Sequence, residues 1–366
     1  MFNNVFKDKT VFVTGHTGFK GSWLCIWLKE LGANVVGYAL EPYTDRDNFV
    51  VTGLQDKITH TIGDIRDFHV LKKVFEEYQP ELVFHLAAQP IVRESYTNPK
   101  ETYDINIGGT VNVLECCRLT DSVKVIVNVT SDKCYENKEW IWGYRENDPM
   151  GGYDPYSSSK GCSELVTAAY RQSFFNPNDF NDHKKSLSSA RAGNVIGGGD
   201  WQKDRIIPDC IRALENNNPI EIRNPTATRP WQHVLEPLSG YLLLASRMYQ
   251  NPQKFCGAWN FGPNYDSIIP VGEVADKVVA CWGSGSWLDL SDKNAPHEAT
   301  LLSLDISKAN SYLKWVPVWD TEKAIKKTVD WYKEYRKKDP YRICVNQIEE
   351  FSALLTQKHS TISRKM

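Results

Sequence analysis

No run of apolar residues in this 366-residue sequence approaches the roughly 18–20 needed to cross a bilayer, and the first ten residues carry no apolar signal-peptide core. Cysteine occurs nine times but never as Cys-x-x-Cys, which argues against a zinc ribbon, and the odd, scattered set suggests no disulfide framework. Neither sign of charge dominates. The 43 Lys and Arg face 45 Asp and Glu, a net charge of -2, so a global basic field for nucleic acid is absent. Internal repeats and low-complexity segments are missing too. These absences predict a cytoplasmic chain with reduced thiols, no nucleic-acid partner and no membrane partner.

What is present is an ordinary globular composition, 41% hydrophobic and 24% charged, in a chain long enough for about two domains. The first half alternates β-branched runs with helical stretches. Thr10 to Thr14, Asn34 to Ala39, Ile58 to Ile62, Leu82 to Leu86 and Lys124 to Thr130 read as strands. Phe19 to Leu31 (as an amphipathic stretch), Phe68 to Tyr78 and Tyr103 to Leu119 read as the helices between them. Near-continuous apolar strands separated by helices indicate a parallel sheet covered on both faces. The expected fold class is therefore α/β, a Rossmann-type doubly wound parallel sheet with a smaller α/β substrate-binding lobe. The sheet domain is expected over residues 1–192, with returning elements near 228–250. The lobe is expected over 193–345 and a C-terminal tail, polar and frayed after Lys358, over 346–366.

The first strand runs into Gly15-His16-Thr17-Gly18-Phe19-Lys20-Gly21 and then a helix. Glycines at this spacing let the backbone approach a pyrophosphate, and the helix N-terminus offers free N–H groups and partial positive charge. Gly15, Thr17, Gly18, Phe19 and Gly21 are the candidate cradle for a dinucleotide. Glu41 is the carboxylate candidate for the adenosine ribose, and no Arg sits immediately at that strand end, which favours NAD over NADP. Asp64, followed by Ile65, is placed to accept from the adenine amino group; the alternative is a carboxylate that only complements a helix dipole.

Tyr156 and Lys160 lie four apart, on one face of a helix. A neighbouring ammonium favours phenolate, and the lysine can also bind the nicotinamide ribose. The pair follows a strand that ends at Thr130-Ser131-Asp132-Lys133. That order, from glycine loop to strand-end Ser and then Tyr-x-x-x-Lys, resembles the extended short-chain dehydrogenase/reductase family from about Lys9 to Trp331. Leu86, Ala87, Ala88 and Gln89 match the family's fourth-strand motif near the cofactor, and Asn106 lies on the following helix.

The adjacent carboxylate and amine at Asp132 and Lys133 resemble the sugar-nucleotide 4,6-dehydratases rather than the 4-epimerases. In the dTDP-sugar branch the second residue of that pair is Glu, so Lys133 departs from it. The runs 130–137, 153–156, 191–201 and 229–234 resemble the branch that takes CDP-linked glucose. The resemblance implies NAD as cofactor, CDP-D-glucose as substrate and a place in deoxysugar synthesis. Tyr156 and Lys160 are then expected to work on the C4 hydroxyl, Ser131 to hydrogen-bond the C4 oxygen, Lys133 to take the C5 proton directly or through a water relay, and a protonated Asp132 to protonate the leaving C6 hydroxyl. The alternative for the last two is a structural ion pair.

In the lobe, Asn194, Arg205, Arg229 and His297 are the candidate substrate ligands, the arginines because guanidinium pairs with phosphate. Arg223 is a further candidate, and Trp201 is expected to line the pocket. No metal is expected. The resemblance also implies a homodimer or homotetramer packed through the helices at Tyr103 to Leu119 and Tyr156 to Tyr170. Two other readings stay open: another nucleotide-sugar dehydratase or 4-epimerase, and an NAD-binding sensor without catalysis.

Overall fold

A computed structural model describes residues 2–291 and 301–364, with side chains as far as Lys358. Seven strands form one parallel sheet: β1 (Thr10–Thr14), β2 (Asn34–Ala39), β3 (Thr59–Ile62), β4 (Leu82–His85), β5 (Val125–Val129), β6 (Ser186–Arg191) and β7 (Gly257–Asn260). Their spatial order is β7-β6-β5-β4-β1-β2-β3. The order reverses between β1 and β4, and a doubly wound sheet opens a crevice beyond the strand ends at such a point.

Alternation within each strand feeds two cores. Val11, Val13, Leu82 and Phe84 join one apolar cluster, while Phe12 and Val83 join the other. A strand buried on both faces needs apolar residues at consecutive positions, which is why TVFVT and LVFH read as unbroken runs. Helices α1 (Phe19–Glu30), α2 (Phe68–Tyr78), α3 (Gly109–Leu119) and α4 (Pro155–Ser173) belong to the same half. Leu71, Phe75, Val113 and Leu114 of α2 and α3 lie in the second core.

Two helices differ from the sequence expectation. Helix α1 is not amphipathic, because every residue from Gly21 to Leu28 is buried. A helix covered on all sides carries no polar stripe to give it period; here Trp27 meets Phe351 edge-on at 5.9 Å, from a late helix that lies over α1. The stretch expected as one helix from Tyr103 to Leu119 contains a π turn at Asp104–Gly108 before α3 begins.

The remaining chain forms α5 (Ile206–Glu215), α6 (Leu235–Gln250), α7 (Val271–Trp282), α8 (Thr321–Glu334) and α9 (Pro340–Arg364). Three short strand pairs link this region: Val195–Ile196 with Gln232–His233, Thr228–Pro230 with Ile268–Pro270, and Ile220–Ile222 with Trp287–Asp289. The chain end that reads as a frayed polar tail is helical through Arg364. Among the described residues no helix is long and apolar enough to cross a membrane.

Candidate active site

The glycine loop sits at the β1–α1 corner. Gly15 has φ +75°, and a β-carbon there would stand 2.8 Å from the Ala87 nitrogen, so the loop and the segment after β4 touch backbone to backbone. Thr14 Oγ1 accepts from the Leu86 and Ala87 amides, both at 3.1 Å, which fixes that contact. Thr17 Oγ1 donates to the Leu40 carbonyl at 2.9 Å. No side chain caps α1, whose N-cap is Gly18. Its first-turn N–H groups are thus left for an anion, and this chemistry fits the pyrophosphate of a dinucleotide.

Around this cradle the structure assigns partners to most of the sequence candidates. Gln89 and Asn106 hold each other: the Gln89 amide donates to Asn106 Oδ1 at 2.8 Å, and Asn106 Nδ2 donates to the Gln89 carbonyl at 3.1 Å. The same Asn106 nitrogen donates to Ser159 Oγ at 2.8 Å, which ties the segment after β4 to α4. Ala88 lies in that segment, half-buried. Ile65 is buried against Gly109 at the start of α3. Asp64 receives the Arg66 amide and Nε, each at 2.8 Å. Burial raises its carboxyl, but the Arg66 guanidinium outweighs that and holds it below the ordinary range.

Beyond the β-strand ends lies a cavity of about 720 Å³, a size suited to a nucleotide-scale ligand. Ser131, Asp132, Lys133, Tyr156, Arg205 and Arg229 all face it. The N-cap of α4 is Asp154, whose carboxylate accepts from the Ser157 amide at 2.9 Å, and this sets Tyr156 in the first turn. Burial pushes the Tyr156 phenol up to about 12, while a hydrogen bond with Ser131 and the nearby Arg205 pull the other way. Arg205 thus adds a second cation beside the phenol, one the sequence reading did not place there. Lys160 is itself pushed down to about 8, by burial and then by the charge of Lys20.

Asp132 is buried, with both oxygens engaged: Ser131 Oγ donates to Oδ1 at 3.0 Å and Asn194 Nδ2 to Oδ2 at 3.2 Å. A β-carbon on Gly193 would fall on that carboxylate, so any larger residue there has to displace it. Asn194 adopts φ +51°, a conformation asparagine tolerates better than most residues. The half-buried Lys133 sits one residue from the carboxylate, and its amide donates to Ser131 Oγ at 3.2 Å. Asp132 and Lys133 thus reach the same cavity from a single 3-10 turn.

Arg205 Nη1 donates to Asp200 Oδ2 at 2.8 Å, and Asp200 lines the cavity as well. Arg229 Nη1 donates to the Thr228 carbonyl at 2.9 Å, and Arg223 pairs with Asp204 at 2.7 Å nearer the surface. Trp201 is not part of the cavity wall; its ring lies under the Arg46 guanidinium, at 3.5 Å. His297 lies outside the described residues. Among the described residues no group of three or more His, Cys, Asp or Glu is placed to hold a metal ion.

Sequence reasoning passed over Lys20. Its amine, half-buried in the first turn of α1, is pushed down to about 8 by burial and by Arg205, against the pull of Asp132 and Asp200. A cation in the first turn of a helix opposes the dipole, and that conflict was the available signal that carboxylates face it. Asp200 gave no such signal.

Taken together, a dinucleotide cradle, a buried phenol with a lysine one turn on, and an adjacent carboxylate and amine in one cavity define an enzyme that oxidises, and removes water from, a hydroxylated substrate. Residues 12–328 match the family described as GDP-mannose 4,6 dehydratase, and the chain belongs to that family. A CDP-glucose 4,6-dehydratase of Salmonella typhimurium is 52% identical over 356 residues, covering 97% of this chain and 99% of that protein. Among solved structures, an epimerase of Methanothermobacter thermautotrophicus superposes with a TM-score of 0.76 at 25% identity, covering 92% of this chain and 96% of that one. A dTDP-glucose 4,6-dehydratase of Bacillus anthracis in complex with NAD gives 0.72 at 20% identity, over 91% of this chain and 99% of that one, and at that distance it shares the fold.

Proposed function

We propose that this enzyme converts CDP-D-glucose to CDP-4-dehydro-6-deoxy-D-glucose and water, with NAD as its cofactor. The observation that carries the dehydration is the buried Asp132 beside Lys133 in the cavity of Tyr156. A 4-epimerase needs no such acid–base pair. The 52% identity to the Salmonella protein supports the nucleotide.

Gly15, Thr17 and Gly18 with the first turn of α1 would hold the pyrophosphate, and Lys160 the nicotinamide ribose. Bound there, NAD supplies a hydride acceptor for C4 and a hydride donor for C6. Tyr156, as the phenolate that the neighbouring cations favour, takes the proton of the C4 hydroxyl, with Ser131 hydrogen-bonded to the same oxygen. The ketone at C4 acidifies the C5 proton, and Lys133 removes it. Asp132, which must carry a proton for this step, gives it to the C6 hydroxyl, which departs as water. A proton returned to C5 completes the 6-deoxy sugar. Arg205 and Arg229 pair with the diphosphate.

The exposed Leu119 of α3 and Leu165 of α4 lie on neighbouring helices, which supports a homodimer or homotetramer through that face. Nine unpaired cysteines support a cytoplasmic location. The test is mass spectrometry after incubation with CDP-glucose in deuterated water, beside UDP-, dTDP- and GDP-sugars. Loss of water with one deuterium at C5 from CDP-glucose alone is expected. Loss from another sugar nucleotide would move the specificity, and loss from none would overturn the reading.

A further inference from the structure

The segment 40–48 leaves the end of β2, where a doubly wound fold places the adenosine ribose of a dinucleotide. Three sets of bonds make it a stiff bracket. At the cofactor side, Thr17 Oγ1 donates to the Leu40 carbonyl and Asn48 Nδ2 to Ser22 Oγ of α1, both at 2.9 Å. Within the bracket, Asp47 accepts from the amides of Tyr43 (2.8 Å) and Thr44 (3.1 Å) and from Thr44 Oγ1 (2.8 Å). At the far side, the Asn48 amide donates to the Gly199 carbonyl at 3.0 Å.

Arg46 makes the strongest of the far contacts. Its guanidinium stacks on Trp201 at 3.5 Å, its Nη2 lies 2.7 Å from both Glu215 oxygens, and its Nε and Nη2 reach Tyr335 Oη at 3.1 and 2.8 Å. A planar, charged fork satisfies stack, carboxylate and phenol at once; a lysine cannot. Trp201 is covalently next to Asp200, whose carboxylate holds Arg205 in the cavity and whose carbonyl accepts from Tyr332 Oη at 2.5 Å. One side chain therefore joins the adenosine-side loop to the residue that positions Arg205.

We propose that Arg46 is a positioning residue that couples the two sites: occupancy of the adenosine end of the cofactor cradle sets the placement of Asp200 and Arg205 for the substrate's diphosphate. The proposal rests on the functional reading above for what the two sites hold. Coupling of this kind is reciprocal, so each ligand changes the affinity of the other by the same factor.

The experiment is calorimetric titration of the full chain with CDP, with and without NAD, and with NAD, with and without CDP. In the unchanged protein each ligand is expected to tighten the other by about fivefold or more. Arg46→Gln and Arg46→Lys should bring that factor close to one, with the thermal midpoint and each separate affinity far less changed. Glu215→Gln, which touches neither site, should weaken the coupling in the same direction and serves if the Arg46 variants fold poorly. A coupling factor of one in the unchanged protein, or an undiminished factor in the variants, overturns the proposal. If CDP fails to bind but UDP or dTDP binds, the same factor is read with that nucleotide, and only the choice of base has failed. Binding of no nucleoside diphosphate overturns both readings.

Discussion

Asp132 and Gly193 share one small volume, with the carboxylate of the first occupying the space a side chain on the second would need. The contact joins the end of β5 to the end of β6, and Asn194 completes it with a hydrogen bond to Asp132 Oδ2. An alanine at 193 has to push the carboxylate out. Gly193→Ala is therefore expected to keep oxidation at C4 and lose dehydration, with turnover down by about 10²-fold or more. The check is stopped-flow absorbance: reduced nicotinamide should accumulate on mixing with substrate. Unchanged turnover would show that the carboxylate has room to spare.

Lys133 is proposed to take the C5 proton, and that proposal has its own readout. Lys133→Ala should abolish solvent deuterium incorporation at C5 while cofactor reduction persists. Wild-type exchange in that variant would return Lys133 to a structural role beside Asp132.

Lys20 and Lys160 are like charges in one buried region, and each is pushed down to about 8 mainly by burial. If Lys160 acts as a cation, as proposed above, kcat/KM should fall as pH rises through about 8. Lys20→Gln removes the second cause of that shift and leaves burial in place. The alkaline limb should move to higher pH in the variant, and a limb that stays where it was would show that Lys20 does not act on Lys160.

The parts of this site that were legible in the sequence are local. Tyr156 and Lys160 lie one turn apart on one helix, and the glycine loop is a single strand-to-helix corner. Asp132 and Lys133 are adjacent. Links made by distant segments were not legible: Arg46 meets Glu215 and Tyr335 across most of the chain, and nothing in its flanking residues says so. The same long-range packing hid α1, whose all-round burial comes from helices that fold over it much later in the sequence. Trp201 was misplaced for the matching reason, since its neighbour Asp200 faces the cavity and the indole faces Arg46.

Behind the proposed catalytic residues, Glu164 of α4 accepts from Thr130 Oγ1 at 2.5 Å, Ser189 Oγ at 2.7 Å and Arg191 Nη2 at 2.8 Å. Both members of the ion pair are 4% exposed. Glu164→Ala leaves the Arg191 charge buried without its carboxylate, a loss of about 3–5 kcal/mol. The melting temperature should drop by roughly 5 °C, whereas the paired replacement Glu164→Met with Arg191→Met should recover much of it. Equal losses in the single and double variants would mean that packing, rather than charge, dominates this region.

Glu236, at the start of α6, is buried and accepts from the Val318 and Trp319 amides, at 3.0 and 2.6 Å. Burial pushes its carboxyl from the ordinary 4.5 up to about 8, and the two backbone bonds only partly oppose this. The folded chain therefore holds a proton that the unfolded chain has released across that interval. Stability contributed by this group is fully present below about 4.5, declines as pH rises, and is gone above about 8. Glu236→Gln keeps an acceptor for the amides and removes the titration. Thermal melts should show the variant close to the unchanged protein at about pH 5 and more stable at about pH 8.5, by about 1 °C for each kcal/mol recovered. A difference that does not depend on pH would place the carboxyl in an ionised state throughout, stabilised by the amides of 318 and 319 against its burial.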